Sequence, residues 1–125
     1  MDTRAVVEAW IDGWTRGWHE ADVETIAVLY AEDAVFRSHP FRDPESSARD
    51  YVVRAFADEE LVECRFGEPV VDGERSAVEY WAILSTSRGE ETLAGFVLLR
   101  FGPDGLVAEH RDYWSMQAGR LPARF

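Results

Sequence analysis

Three runs of alternating residues in the second half, Cys64 to Val71, Arg75 to Ser87 and Thr92 to Phe101, constrain this chain more than any other feature. Asp72-Gly73 and Arg88-Gly89 separate them, and such dipeptides join neighbouring strands as hairpins. The Pro103-Asp104-Gly105 turn then leads into a last strand, Leu106 to Met116, so the second half is expected to form an antiparallel meander. At period two the central run sorts Ala77, Glu79, Trp81, Ile83 and Ser85 onto one face, and Val78, Tyr80, Ala82 and Leu84 onto the other. A carboxylate beside a tryptophan in an apolar run points the first face toward a cavity or an interface, because a buried charge without a partner is not tolerated. A slip of one residue exchanges the faces and puts Tyr80 and Val78 inward.

The first half reads at helical spacing. Val6, Val7, Trp10, Ile11 and Trp14 mark an apolar stripe over Asp2 to Gly17, with Asp2 as N-cap and Gly17 as the stop. Trp10, Trp14 and Trp18 recur every four residues, and Gly13 permits close packing. A second helix is expected from Asp22 to about Ala31, with Val23, Ile26, Ala27 and Tyr30 buried. Ala34, Val35 and Phe36 form a short extended piece that ends at Ser38, His39 and Pro40. Asp43-Pro44 reads as the start of a third helix reaching Asp58, and Asp58, Glu59 and Glu60 as a solvated loop. Helices followed by a meander make an α+β domain, one for the whole span 1–125.

Composition narrows function. The 125 residues carry 24 acidic against 13 basic side chains, a formal charge of -11. That field repels phosphate backbones and anionic membranes, so no nucleic acid and no membrane partner is expected. No run approaches the roughly 18 apolar residues of a membrane span. A single cysteine, Cys64, and no secretory leader suit a cytoplasmic protein. Three histidines without paired spacing give no metal signal, and there is no glycine-rich phosphate loop, so no cofactor is expected. A small neutral or apolar molecule is the expected ligand.

The order of elements, with Tyr30-Ala31-Glu32-Asp33-Ala34-Val35 after a turn containing Asp22, Leu99-Arg100-Phe101 leading into Asp104-Gly105, and Asp112-Tyr113-Trp114 in the last strand, resembles nuclear transport factor 2-like domains. The similarity is to the branch holding SnoaL-like polyketide cyclases and ketosteroid isomerases. It implies a cone: three N-terminal helices packed against a strongly curved, mainly antiparallel sheet, with an apolar pocket inside. A homodimer packed through the outer sheet face is implied as well. In the isomerase relatives a tyrosine on the first helix, an aspartate base before a proline and an aspartate acid on a later strand do the chemistry. Those positions fall on Trp14, on Ser38 or His39, and on Val97 or its neighbours, so steroid isomerisation by that set is not expected. The cyclase-type relatives place an Asp/His set on the later strands, where Asp112 and His110 stand.

His110, Asp112 and Trp114 alternate in step and share a face, with the first two about 7 Å apart along the strand. Histidine and carboxylate together suit proton transfer, and Glu79 in a dry pocket suits a general acid. His39 before Pro40 is a candidate base at the pocket mouth. The expected site is therefore Asp112, His110, His39 and Glu79 for chemistry, with Trp14, Trp81, Trp114 and Val97 as the ligand wall. The functions in view are a cofactor-independent isomerase, dehydratase or cyclase, a non-catalytic binding or dimerisation domain, and an epoxide hydrolase-like enzyme.

Overall fold

The computed structural model describes all of residues 1–125. Helix α1 spans Thr3–Glu20, α2 Val23–Ala27 and α3 Ala48–Asp58. The strands are β1 Tyr30–Arg37, β2 Glu59–Phe66, β3 Val70–Asp72, β4 Arg75–Thr86, β5 Gly89–Phe101 and β6 Val107–Ala118. Asp2 and Asp22 cap α1 and α2 by accepting from the amides of Ala5 and Thr25, as their side chains and positions require.

Local chemistry explains where the elements depart from the sequence reading. Helix α1 runs past Gly17 and closes at Ala21, whose φ of 51° is the left-handed cap. Gly17 is instead a contact point: a Cβ there would lie 2.6 Å from Ile26 Cγ1, and one on Gly13 would lie 2.8 Å from Leu29. The second helix stops at Ala27, so Tyr30 opens a strand. Asp43-Pro44 starts no helix. The segment is held to β1 by the Glu45 amide donating to Phe36 O (2.7 Å) and by Ser38 Oγ donating to Glu45 Oε2 (2.8 Å), and Ser47 supplies the cap of α3. Glu59 and Glu60, expected in a solvated loop, begin β2.

The sheet is mixed. Its order is β1-β6-β5-β4-β2 with β3 beside β4, and only the β1–β6 pair is parallel. The strongly curved sheet expected from the family resemblance is not found: the sheet is not strongly curled. It is an open path with β1 and β2 as separate edges. The β4–β5 ladder runs from Arg75–Arg100 to Thr86–Gly89 without a register shift, so the bulges that bend a sheet are missing from its centre.

Cross-strand rows set the inner face. Val78 lies opposite Val97, which lies opposite Asp112, and the next row is Tyr80, Gly95 and Trp114. Val78, Tyr80, Ala82 and Leu84 are buried, so the alternative register is the one realised and Glu79 is exposed on the outer side. Trp81 shares that outer side, where its indole donates to Leu121 O (2.9 Å). The C-terminal segment crosses there, pinned by Thr92 Oγ1 to Gly119 O (2.7 Å). The helices cover the inner face, and Val7, Trp10, Trp14, Ile26, Phe36, Val52, Leu99 and Phe101 join in one core. No helix is long and apolar enough to cross a membrane.

Two effects oppose each other at Gly17. Alanine would favour the helix by about 1 kcal/mol, whereas overpacking against a rigid neighbour costs about 1–3 kcal/mol. Ile26 is wholly buried, and the Asp22 carbonyl oxygen would also stand 3.2 Å from the new Cβ. Gly17→Ala is therefore expected to lower the urea midpoint, and a raised midpoint would contradict the packing argument.

Candidate functional site

A cavity of about 260 Å³ lies between the helices and the inner sheet face. Its walls are mainly aromatic, with Trp10, Trp14 and Trp18 from α1, Tyr51 and Phe56 from α3, and Trp114 from β6. Gly95 sits between the cavity residues Tyr80 and Trp114 in one row, where β5 passes close to β6. A Cβ there would meet the Tyr113 carbonyl oxygen at 2.2 Å, so only glycine fits this approach of β5 to β6.

Two hydrogen-bonded groups meet at the back of the cavity, Trp10, Trp14, Tyr30 and His110 in one and Tyr80 with Asp112 in the other. The indole N–H groups of Trp10 and Trp14 donate to the Tyr30 hydroxyl at 3.2 and 2.9 Å. That hydroxyl lies 2.9 Å from His110 Nδ1. The imidazole stacks on Phe36, with centroids 3.9 Å apart and planes at 15°. Its Nε2 is buried without a hydrogen-bond partner and stands 3.8 Å from Asp112 Oδ2, beyond bonding reach. Asp112 Oδ1 accepts from the Tyr80 hydroxyl at 2.7 Å. Asp112 Oδ2 and His110 Nε2 thus remain available side by side in a largely apolar chamber.

Burial raises the pKa of the Tyr30, Tyr51 and Tyr80 phenols, and the charge of Asp112 raises each further. All three are therefore hydrogen-bond donors near neutral pH. At the other end of the cavity, burial and then the neighbouring Glu91 charge hold the Glu59 carboxyl at about 7. Glu91 itself is ion-paired with Arg88 (2.7 Å), which draws its carboxyl below the ordinary range. No group of three or more His, Cys, Asp or Glu converges in a way that suits a metal ion.

Of the residues expected from sequence, Asp112, His110, Trp14, Trp114 and Val97 line this cavity together. Glu79 and Trp81 do not, because they occupy the outer face of β4. His39 lies beside the mouth but off the lining. Its Nδ1 accepts from the Phe41 amide (3.3 Å), and its ring packs edge-on against Trp114 with centroids 4.8 Å apart. Trp114 is tethered to the same loop by its indole, which donates to Ser38 O at 2.7 Å. The sequence reading missed Tyr51 and Glu59 as cavity groups, and Tyr30 as the hydroxyl behind His110. Tyr80 was visible only as the alternative register.

No curated protein sequence matches the chain. Among solved structures it is similar to SalBIII, an epoxide hydrolase/cyclase-like enzyme in pyran ring formation in the polyether salinomycin, at 18% identity and a TM-score of 0.77, covering 91% of this chain and 93% of that one. An LEH-like epoxide hydrolase of M. tuberculosis is similar at 16% identity and a TM-score of 0.70, over 90% and 82% of the two chains. A Catenulispora acidiphila protein with a ketosteroid isomerase-like fold, in complex with trimethylamine, gives 17% identity and a TM-score of 0.73 over 88% and 85%. At such identities these likenesses speak to the fold. The SnoaL-like domain family matches residues 7–110, most of the sequence, and the chain belongs to that family.

Proposed function

We propose that the chain is a cofactor-independent enzyme that transfers a proton on a small, largely apolar molecule bearing a carbonyl or similar oxygen. The observation that carries this reading is the pair Asp112 Oδ2 and His110 Nε2, both without a partner and 3.8 Å apart in an aromatic chamber. Asp112 Oδ2 takes a proton from the carbon next to the carbonyl, and the C–H electron pair moves onto the oxygen as an enolate. His110 faces that oxygen. Tyr80 holds Oδ1 and so aims Oδ2 at the substrate. Return of the proton from Asp112 to another carbon completes an isomerisation, its transfer to a departing β-hydroxyl releases water and completes a dehydration, and its transfer to the alkoxide formed when the enolate carbon attacks a second carbonyl completes a cyclisation. The volume, just under the common range for drug-sized ligands, suits one or two rings.

A second reading, opening of an epoxide by an internal hydroxyl, draws on the wording attached to SalBIII. The same pair serves it, with Asp112 taking the hydroxyl proton and His110 bonding the epoxide oxygen. The hydrolytic version needs an arginine between two carboxylates. Arg42 is instead engaged with Ser38 Oγ (3.2 Å) and lies over the Trp114 ring, while Arg111 alternates onto the outer face.

Two measurements follow. With 3-cyclohexenone and other small cyclic ketones in D2O, the wild type is expected to catalyse deuterium incorporation next to the carbonyl, followed by NMR. Asp112→Asn is expected to lose about 10²–10⁴-fold, the usual contribution of a positioned base. Ketone binding with no exchange above buffer would favour the non-catalytic domain, and an unchanged rate in Asp112→Asn would remove the assigned base. The second measurement concerns Glu59, whose pKa is raised from 4.5 to about 7 on folding. Its contribution to stability is fully present below about 4.5 and is lost as pH rises through about 7. Glu59→Gln is therefore expected to match the wild-type thermal midpoint at low pH and to exceed it at pH 8. Parallel curves would refute this burial.

A further inference from the structure

We propose that Tyr30, held by Trp10 and Trp14, is a positioning residue that fixes His110 as a hydrogen-bond donor into the cavity, so that the substrate must present an oxygen acceptor to His110 Nε2. The inference rests on the proton-transfer reading above and narrows it.

A tyrosine hydroxyl has one proton and two acceptor sites, and a tryptophan indole can only donate. Both indole N–H groups are buried and both end on the Tyr30 oxygen. Its acceptor sites are then full, and its own proton has one destination, His110 Nδ1 at 2.9 Å. Nδ1 must accept that proton, so in the neutral ring the hydrogen sits on Nε2. The opposite tautomer would aim three donors at one oxygen and leave the Tyr30 O–H with no acceptor in a buried site. The stack on Phe36 fixes the ring plane, so the donor cannot swing away.

What faces the ring agrees with this assignment. The titratable groups around it are Asp112 on its own strand, Tyr30 on β1, and Tyr80 and Tyr51 across the cavity on β4 and α3. Asp112 Oδ2, at 3.8 Å, is too distant to satisfy Nε2–H. The donor is therefore free for a ligand atom, and a carbonyl or epoxide oxygen fits. A ligand offering only N–H or ammonium groups at this point would set donor against donor. His110 then has no free lone pair with which to act as base, and that duty belongs to Asp112.

The test uses the whole chain labelled with ¹⁵N-histidine, with the His110 signals assigned by their loss in His110→Gln. The expected spectrum has an unprotonated Nδ1 and a protonated Nε2 in a single tautomer. Tyr30→Phe is expected to give mixed tautomers. If that variant does not fold, Trp14→Phe, which frees one acceptor site on Tyr30, is expected to loosen the tautomer in the same direction. With 3-cyclohexenone, His110→Gln can still accept from Tyr30 and donate to the cavity, and is expected to stay within about tenfold of wild type. His110→Phe is expected to fall by about 10²–10³-fold, the range for one lost oxyanion donor. A proton found on Nδ1, a single Nε2–H tautomer that persists in Tyr30→Phe or Trp14→Phe, or equal losses in the Gln and Phe variants would overturn the proposal. If the wild type exchanges no ketone, the proton-transfer reading fails, while the NMR spectra still decide the role of Tyr30.

Discussion

The arrangement depends on a buried phenol that has to satisfy its neighbours. Tyr30 is almost wholly inside, and its oxygen receives hydrogen bonds from two tryptophans of α1 and meets a histidine of β6. One atom thus ties the first helix, the first strand and the last strand, elements remote in sequence. An unpaired indole N–H in this core would cost about 1–3 kcal/mol, so the network specifies how α1 lies on the sheet as well as which atoms face the cavity. The parallel pairing of β1 with β6 brings Tyr30 and His110 to the same region, with Phe36 opposite His110 in the register and stacked on it.

The cavity is enclosed by large side chains of the inner sheet face and of the helices that cover it. Tyr80, Gly95 and Trp114 form one row of the inner face, with Val78, Val97 and Asp112 in the row on one side and Ala82, Leu93 and Met116 in the row on the other. Close packing elsewhere leaves few voids in protein interiors, so an opening of this size with polar atoms at its back is a built feature. The tight approach of β5 to β6 at Gly95 holds Trp114 where its indole reaches the Ser38 carbonyl, which joins the cavity wall to the 38–47 loop.

Much of this was legible in the chain. Alternation in the last strand was enough to put His110, Asp112 and Trp114 on one face, since the period of two is a geometric property of a strand. The same rule left β4 undecided, because both of its faces carry bulky residues. The anomaly of Glu79 beside Trp81 pointed the wrong way for a physical reason: the outer face of β4 is itself partly covered, by the C-terminal segment bonded to Trp81 and Thr92. Tyr30 was assigned to a helix by its spacing from Ile26 and Ala27. Its place in β1 comes with the pairing of Leu29 and Tyr30 to Val107 of β6, a tertiary contact that leaves no trace in a one-dimensional pattern. Strong curvature was expected from the family resemblance alone, and nothing in the residues had argued for it.

The polar groups of the cavity also differ in what they can do, and burial sorts them. The three phenols are pushed upward by desolvation and by the Asp112 charge, so near neutral pH they donate and do not accept protons from carbon. Glu59, with no donor of its own and Glu91 close by, tends to hold its proton until about pH 7. Glu91 is neutralised by Arg88. Asp112 alone combines a supporting hydrogen bond on one oxygen with a second oxygen open to the chamber. Asp112 is thus the carboxylate that the proposed reaction calls on, and the place that the family resemblance equates with a first-helix hydroxyl is filled here by Trp14, which reaches a hydroxyl on a different element.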